Sequence, residues 1–359
     1  MKKANIAWAL VAGVVVVAAT PRYGLADPIA DFYRGKQIKL IIRAGPGGNY
    51  DTYSRILGRY IVRFLPGNPK AVPINMPGGG GLTALNYVEN VAPHDGTILS
   101  MVTQSLPMEQ ALGLNTKLKV DMRRLNWIGN MSEANMFLLT TPSSKTRTLD
   151  DAMKRRTFVA ATGSASVSTY ITAVANNLLG TRFKVIYGYP SGPEMNMAMA
   201  RGEAEGRTTS NPARMKLAGQ KVKFNYILQA GIQKNRDYPD TPLFKDLAKN
   251  KEDQLVLDFL SKVISLARPV VTNSGVPAER VKALRAAFTT TMKDPGFKKD
   301  ADKIDIPISY MSGEELQSIV ASIVDAPKPT LDRVRDAIKF RSGDIERGKM
   351  AKKKKKKKK

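Results

Sequence analysis

The sequence contains no cysteine. Disulfides, thiol nucleophiles and zinc–thiolate sites are therefore excluded together. Histidine is almost absent too: His94 is the only one, and in Pro93-His94-Asp95-Gly96 it reads as a turn residue. One histidine without cysteine leaves no zinc cluster, and no Ser-His-Asp triad unless His94 is recruited. A phosphate-loop Gly-Lys-Ser/Thr is missing. Gly45-Pro46-Gly47-Gly48 matches half of a dinucleotide fingerprint, but Tyr50 stands where that motif needs a small residue. No cofactor and no metal are expected. Carboxylate-pair acid–base chemistry stays open, and a lyase or hydrolase using Asp51 and Tyr189 is the enzymatic alternative. Met195, Met197 and Met199 alternate with smaller residues, a packing pattern rather than a metal box.

Long apolar runs are equally scarce. The one that stands out, residues 6–20, follows Lys2 and Lys3, is broken by Pro21 and leads to Gly24-Leu25-Ala26. This is the pattern of a secretory signal over residues 1–26, cleaved before Asp27. The run is shorter than the roughly 20 apolar residues that span a bilayer. A soluble, exported protein is expected, stabilised by core burial alone and long enough for two domains.

Acidic residues are in deficit. The chain has 57 Lys and Arg against 31 Asp and Glu, a formal net charge of +26. Eight of those cations are Lys352 to Lys359, and without them the chain carries +18. Such a run repels itself and is expected to be disordered; docking on an anionic membrane surface is the alternative. A basic body suits a receptor for anions. It also suits nucleic acid, but no basic stripe is interleaved with aromatics, so no nucleic-acid partner is expected.

What is present is a repeated order of apolar strand, glycine- or serine-rich loop and helix. QIKLIIR (37–43) runs into Ala44-Gly45-Pro46-Gly47-Gly48-Asn49-Tyr50-Asp51, and residues 52–64 carry apolar side chains at helical spacing. A second strand over 72–76 ends in Pro77-Gly78-Gly79-Gly80-Gly81 before a helix over 82–91. A third strand covers 97–103. A similar unit begins near Trp127: strands over 137–139 and 157–161, the loop 162–168, a helix over 169–179, a strand over 184–187 and a helix over 193–201. A strand over 226–230, an extended apolar stretch over 263–271 and helices over 278–292, 313–323 and 331–340 follow. The pattern predicts an α/β protein of two lobes, each a mainly parallel sheet flanked by helices.

Three of these loops lead into helix N-termini. Unpaired N–H groups and a partial positive charge meet there, and small residues let an anion approach the backbone. Loops of this kind lie at the carboxyl ends of strands, where α/β sheets bind ligands. Asp51, in the first turn of a helix, can complement that dipole instead.

GKQIKLIIRAGPGGNYD (35–51), MPGGGG (76–81), APHDG (92–96), the 163–168 loop and Tyr238-Pro239-Asp240-Thr241-Pro242 occur in this order. In that order they resemble the periplasmic receptors of tripartite tricarboxylate transporters, the Bug- or TctC-type receptors. The resemblance covers residues 27 to about 340. It implies a two-lobed periplasmic-binding-protein, or Venus-flytrap, fold and no enzymatic activity. It also implies a monomer that captures a small organic carboxylate and delivers it to membrane transporter subunits, or presents it to a sensor. Lobe 1 is expected over residues 27–130 and 265–345, lobe 2 over 131–264, and a lysine-rich tail over 346–359. The residues matching the family's ligand loops are Pro46, Gly47, Gly48, Asn49 and Asp51 in the first, and Pro77, Gly78, Gly79, Gly80 and Gly81 in the second. Gly163, Ser164, Ser166 and Ser168 match the loop of the other lobe, and Tyr189 matches a Tyr-Lys-Gly element whose lysine is missing here. Arg43 replaces an apolar residue or proline, and Arg207 lies in a stretch, residues 202–207, that departs from the family. Arg207 is expected to contact the ligand carboxylate directly. A rim position, or pairing with Glu203 or Glu205, is the alternative.

Overall fold

The computed structural model describes residues 27–164 and 166–348. The signal segment expected over residues 1–26 and the lysine run 352–359 lie outside the described residues. In chain order the strands are β1 (Gln37–Ile42), β2 (Lys70–Asn75), β3 (Ile98–Met101), β4 (Asn126–Asn130), β5 (Met136–Thr140), β6 (Thr157–Ala161), β7 (Phe183–Tyr187), β8 (Gly206–Thr209), β9 (Asn225–Ala230), β10 (Pro269–Thr272), β11 (Met311–Ser312) and β12 (Ile345–Arg347). The helices are α1 (Pro28–Tyr33), α2 (Asn49–Phe64), α3 (Leu82–Asn90), α4 (Leu106–Ala111), α5 (Leu149–Lys154), α6 (Val167–Val174), α7 (Gly192–Ala200), α8 (Lys251–Ser265), α9 (Ala278–Lys293), α10 (Pro295–Lys303), α11 (Gly313–Val324) and α12 (Lys328–Ala337).

Two six-stranded sheets result, ordered β11-β4-β10-β3-β1-β2 and β12-β7-β6-β8-β5-β9. Each pairs its strand–loop–helix units in parallel: β1 with β2 and β3, and β6 with β7 and β8. β10 and β11 in the first sheet, and β5 in the second, pair antiparallel with their neighbours, so both sheets are mixed. Strands that follow a direct crossing from the other lobe need no helical crossover, and antiparallel pairing accommodates them.

The C-terminal stretch adds to the second sheet. Glu346 and Arg347, expected in the tail, belong to β12, which pairs in parallel with β7 of lobe 2. The chain therefore crosses between lobes three times. The first two crossings run side by side and are pinned by buried Asn130. Its Oδ1 accepts from the Arg268 N–H at 2.9 Å, and its Nδ2 donates to the Ser132 and Ser265 carbonyls.

Residues 263–271, expected as one extended stretch, are the last turn of α8, a short connection and β10. Buried helix and buried strand share the same apolar composition, and only the helix start at Asn250, which caps the Asp253 N–H at 2.8 Å, separates them. α2 packs its buried Tyr53, Ile56, Leu57, Tyr60 and Ile61 on the first sheet. That packing holds the N-terminus of α2 at the cleft between the lobes.

Candidate functional site

A cavity of about 430 Å³ opens between the lobes. Three helix N-termini reach it: α2 through Gly48 and Asn49, α6 through Ser166 and Val167, and α7 through Ser191 and Gly192. None of these three helices is capped by its own N-cap side chain. Each directs the positive end of its dipole toward the same space. The lobes touch around it. Gly45 N–H donates to the Pro190 carbonyl at 3.3 Å, and Asn49 Nδ2 donates to Ser210 Oγ at 3.3 Å. Asn211 Nδ2 donates to the Asp305 carbonyl.

Three arginines line the same cavity: Arg43 at the end of β1, Arg207 in β8 and Arg268 just before β10. All are buried, with exposures of 7%, 8% and 3%. Burial at this level normally demands a paired anion. Among the described residues none of the three has a carboxylate within ion-pair reach, and the Nε of each lacks an acceptor. Arg43 and Arg268 lie over the Tyr50 ring, 4.3 and 4.6 Å from its centre. The Tyr50 hydroxyl donates to Gln104 Oε1 at 2.7 Å, which fixes the ring between the two cations. Arg268 also donates to Ser210 Oγ across the cleft. Arg207 has neither ring nor hydrogen-bond partner among the described residues. Burial holds its pKa down at about 10, so it stays charged at neutral pH. Its guanidinium lies against Gly192, at the N-terminus of α7. Two positive ends thus face each other, an arrangement that an intervening anion would relieve.

The alternative pairings of Arg207 with Glu203 or Glu205 are not formed. Glu205 takes Arg155 at 2.7 Å, and Glu203 lies 3.9 Å from Arg201. Nor is Arg207 at the rim, since β8 is an interior strand of its sheet.

Of the other residues singled out by sequence, Gly47, Gly48, Asn49, Ser166 and Ser168 line the cavity. Pro46, Ser164 and Gly163 do not. Asp51 turns away: it accepts from the Gly47 N–H at 2.9 Å, from Arg55 at 2.8 Å and from Asn75 at 2.8 Å, so it braces the first loop. Tyr189 is buried among Ala160, Met195 and Met199, its hydroxyl 3.5 Å from Glu203. Pro77 to Gly81 form no part of the lining. They are a platform for Arg43 instead. Gly81 has φ +119°, and a Cβ there would stand 2.8 Å from Arg43 Nε. The arginine fills the space that the second loop leaves beside the first. Sequence reading passed over Tyr50, Gln104, Thr208 to Asn211 and Arg268. Arg268 carried a signal, as a lone charge inside the apolar run from Val263 to Val271.

Behind Arg43, α4 carries Glu109, 1% exposed, with Asn115 Nδ2 donating to its Oε2 at 3.2 Å. Burial pushes its pKa up to about 7, against the lowering influence of Asn115, Tyr170, Ser105 and Arg43. Because the folded state holds this proton more tightly than the unfolded chain, the group costs nothing below about pH 4.5. Its stability cost grows as pH rises toward about 7. Glu109→Gln is therefore expected to match the parent near pH 4.5 and to exceed it at pH 8, by on the order of 3 kcal/mol. Denaturant unfolding at several pH values checks this. An unchanged pH slope contradicts it.

Among the described residues, no group of three or more His, Asp and Glu is placed to hold a metal ion. Among the described residues, no helix is long and apolar enough to cross a membrane.

No protein-family model matches the chain. Over 145 residues, 39% of this chain, it is 30% identical to Protein BugT of Bordetella pertussis (strain Tohama I), and the match spans 41% of that relative. Its structure is similar to that of periplasmic binding protein BugD, with a TM-score of 0.68 at 15% identity over 88% of this chain and 100% of that one. It is also similar to MatC from Rhodopseudomonas palustris with bound malate, with a TM-score of 0.65 at 17% identity over 85% and 99% of the two chains. Identities this low establish the fold and nothing finer. The chain has the two-lobed α/β fold of the periplasmic binding proteins and is Bug-like in its architecture and in part of its sequence.

Proposed function

We propose that this protein is an extracytoplasmic solute-binding receptor, that it captures a small organic carboxylate between its lobes, and that it delivers the ligand to a membrane transporter of the tripartite tricarboxylate type. The observation that carries the proposal is the set of three buried arginines, contributed by both lobes and the crossing between them and lacking carboxylate partners among the described residues. A guanidinium matches a carboxylate in a planar, two-pronged geometry. Ligand charge held by Arg207 on one side of the cleft and by Arg43 and Arg268 on the other would favour the closed arrangement over the open one. The malate in MatC supports the carboxylate class, and the fold shared with periplasmic binding protein BugD supports the receptor role. The export signal read in residues 1–26 fits a periplasmic location.

A thermal-shift screen of the refolded, ligand-stripped protein against carboxylates and their amides tests this. A ligand at 100 times its dissociation constant adds about 2.7 kcal/mol of stability. A saturable upward shift with a carboxylate, absent with its amide, is expected. Equal shifts with both, or none with any anion, contradict the proposal.

A further inference from the structure

The two lobes contribute unlike walls to the cavity. Lobe 1 and the crossing present Arg43, Tyr50, Gln104 and Arg268. Lobe 2 presents Arg207 and, beside it, Met136, Met195, Met197 and Met215. Four of the chain's fifteen methionines therefore border one cavity, and they arrive from three separate segments: the start of β5, α7 and the stretch after β8. Met136, Met195 and Met215 are rooted in the hydrophobic cores, whereas Met197 is 44% exposed. Such a wall gains stability when an apolar surface covers it. Methionine is flexible and polarisable, and it adapts to chains or rings of different shape. A compact polyanion would satisfy the arginines, but its remaining charges would face an apolar wall and lose hydration without compensation.

We propose that the captured anion has an apolar body, with its carboxylate among Arg43, Arg207 and Arg268 and its chain or ring laid on Met136, Met195, Met197 and Met215. This rests on the receptor reading above and adds the class of ligand.

The test is calorimetric titration of the ligand-stripped protein with straight-chain monocarboxylates of two, four, six and eight carbons, and with citrate. Affinity is expected to rise about fourfold for each added methylene. Octanoate is expected to bind more tightly than citrate. Met197→Gln, at an exposed position where folding is not at stake, is expected to reduce the gain per methylene. Affinity that is flat or falls with chain length, or tighter binding of citrate, overturns the amphipathic ligand and leaves the receptor standing. An unchanged gain in Met197→Gln overturns the methionine seat. Binding of none of these anions overturns this inference together with the receptor reading.

Discussion

Arg207→Met is expected to weaken carboxylate binding by at least about 30-fold while making the ligand-free protein more stable. The two effects have one cause. Arg207 is a buried charge, 8% exposed and without a carboxylate partner among the described residues, and burial holds its pKa down at about 10. A shift of that size corresponds to on the order of 3 kcal/mol of destabilisation at neutral pH. Methionine keeps much of the volume and the apolar stem and removes the charge, a replacement that is often neutral or stabilising by about 1–4 kcal/mol. Removing one member of a buried charge pair in a complex costs about 2–5 kcal/mol of binding. Calorimetric titration and denaturant unfolding of the parent and the variant measure both sides. Affinity within twofold of the parent, or a ligand-free variant several kcal/mol less stable, contradicts the role given to Arg207.

A single methyl group at the cleft is expected to have the next largest effect. Gly163 of lobe 2 meets the second glycine loop of lobe 1, and a Cβ on it would stand 2.8 Å from the Gly80 nitrogen and 3.0 Å from its Cα. Both atoms are backbone and cannot rotate aside. Overpacking of this kind costs about 1–3 kcal/mol. It acts only when the lobes are closed, so Gly163→Ala is expected to weaken ligand binding by roughly 5- to 100-fold. Parting the lobes relieves the contact, so the stability of the protein without ligand should change by less than about 0.5 kcal/mol. Unchanged affinity, or an equal loss in the ligand-free protein, contradicts closure at this contact.

The parts legible in the sequence are those with strong local signals. The glycine-rich loop before α2, the apolar face of α2 and the alternating order of strands and helices all carried such signals, and they place the first loop at the cleft. Arg207 stood out because its neighbours departed from a familiar pattern. Its strand did not: Gly206-Arg207-Thr208-Thr209 lacks apolar alternation, yet all four residues are buried because β8 lies between β6 and β5. α8 was lost for a related reason, since its apolar end merges in composition with β10. Asp51, Tyr189 and the Pro77–Gly81 loop were placed in the site by their neighbours in sequence, but side-chain direction decides contact. Asp51 is drawn back by Gly47, Arg55 and Asn75, and the second loop is occupied by Arg43. Arg268 lies 225 residues from Arg43 in the chain, and only the third dimension brings both onto one tyrosine ring.

The central claim is that negative charge, shared among three buried arginines, is what the cleft recognises. Titration of the ligand-stripped protein by calorimetry with the best carboxylate from the screen and with its primary amide tests this most directly. The two molecules share their shape and most of their hydrogen-bonding atoms and differ in charge. Saturable one-to-one binding of the carboxylate, with the amide at least 100-fold weaker, is the expected result. Comparable affinity for both would show that the arginines do not select the ligand by charge, and the account would be wrong at its centre.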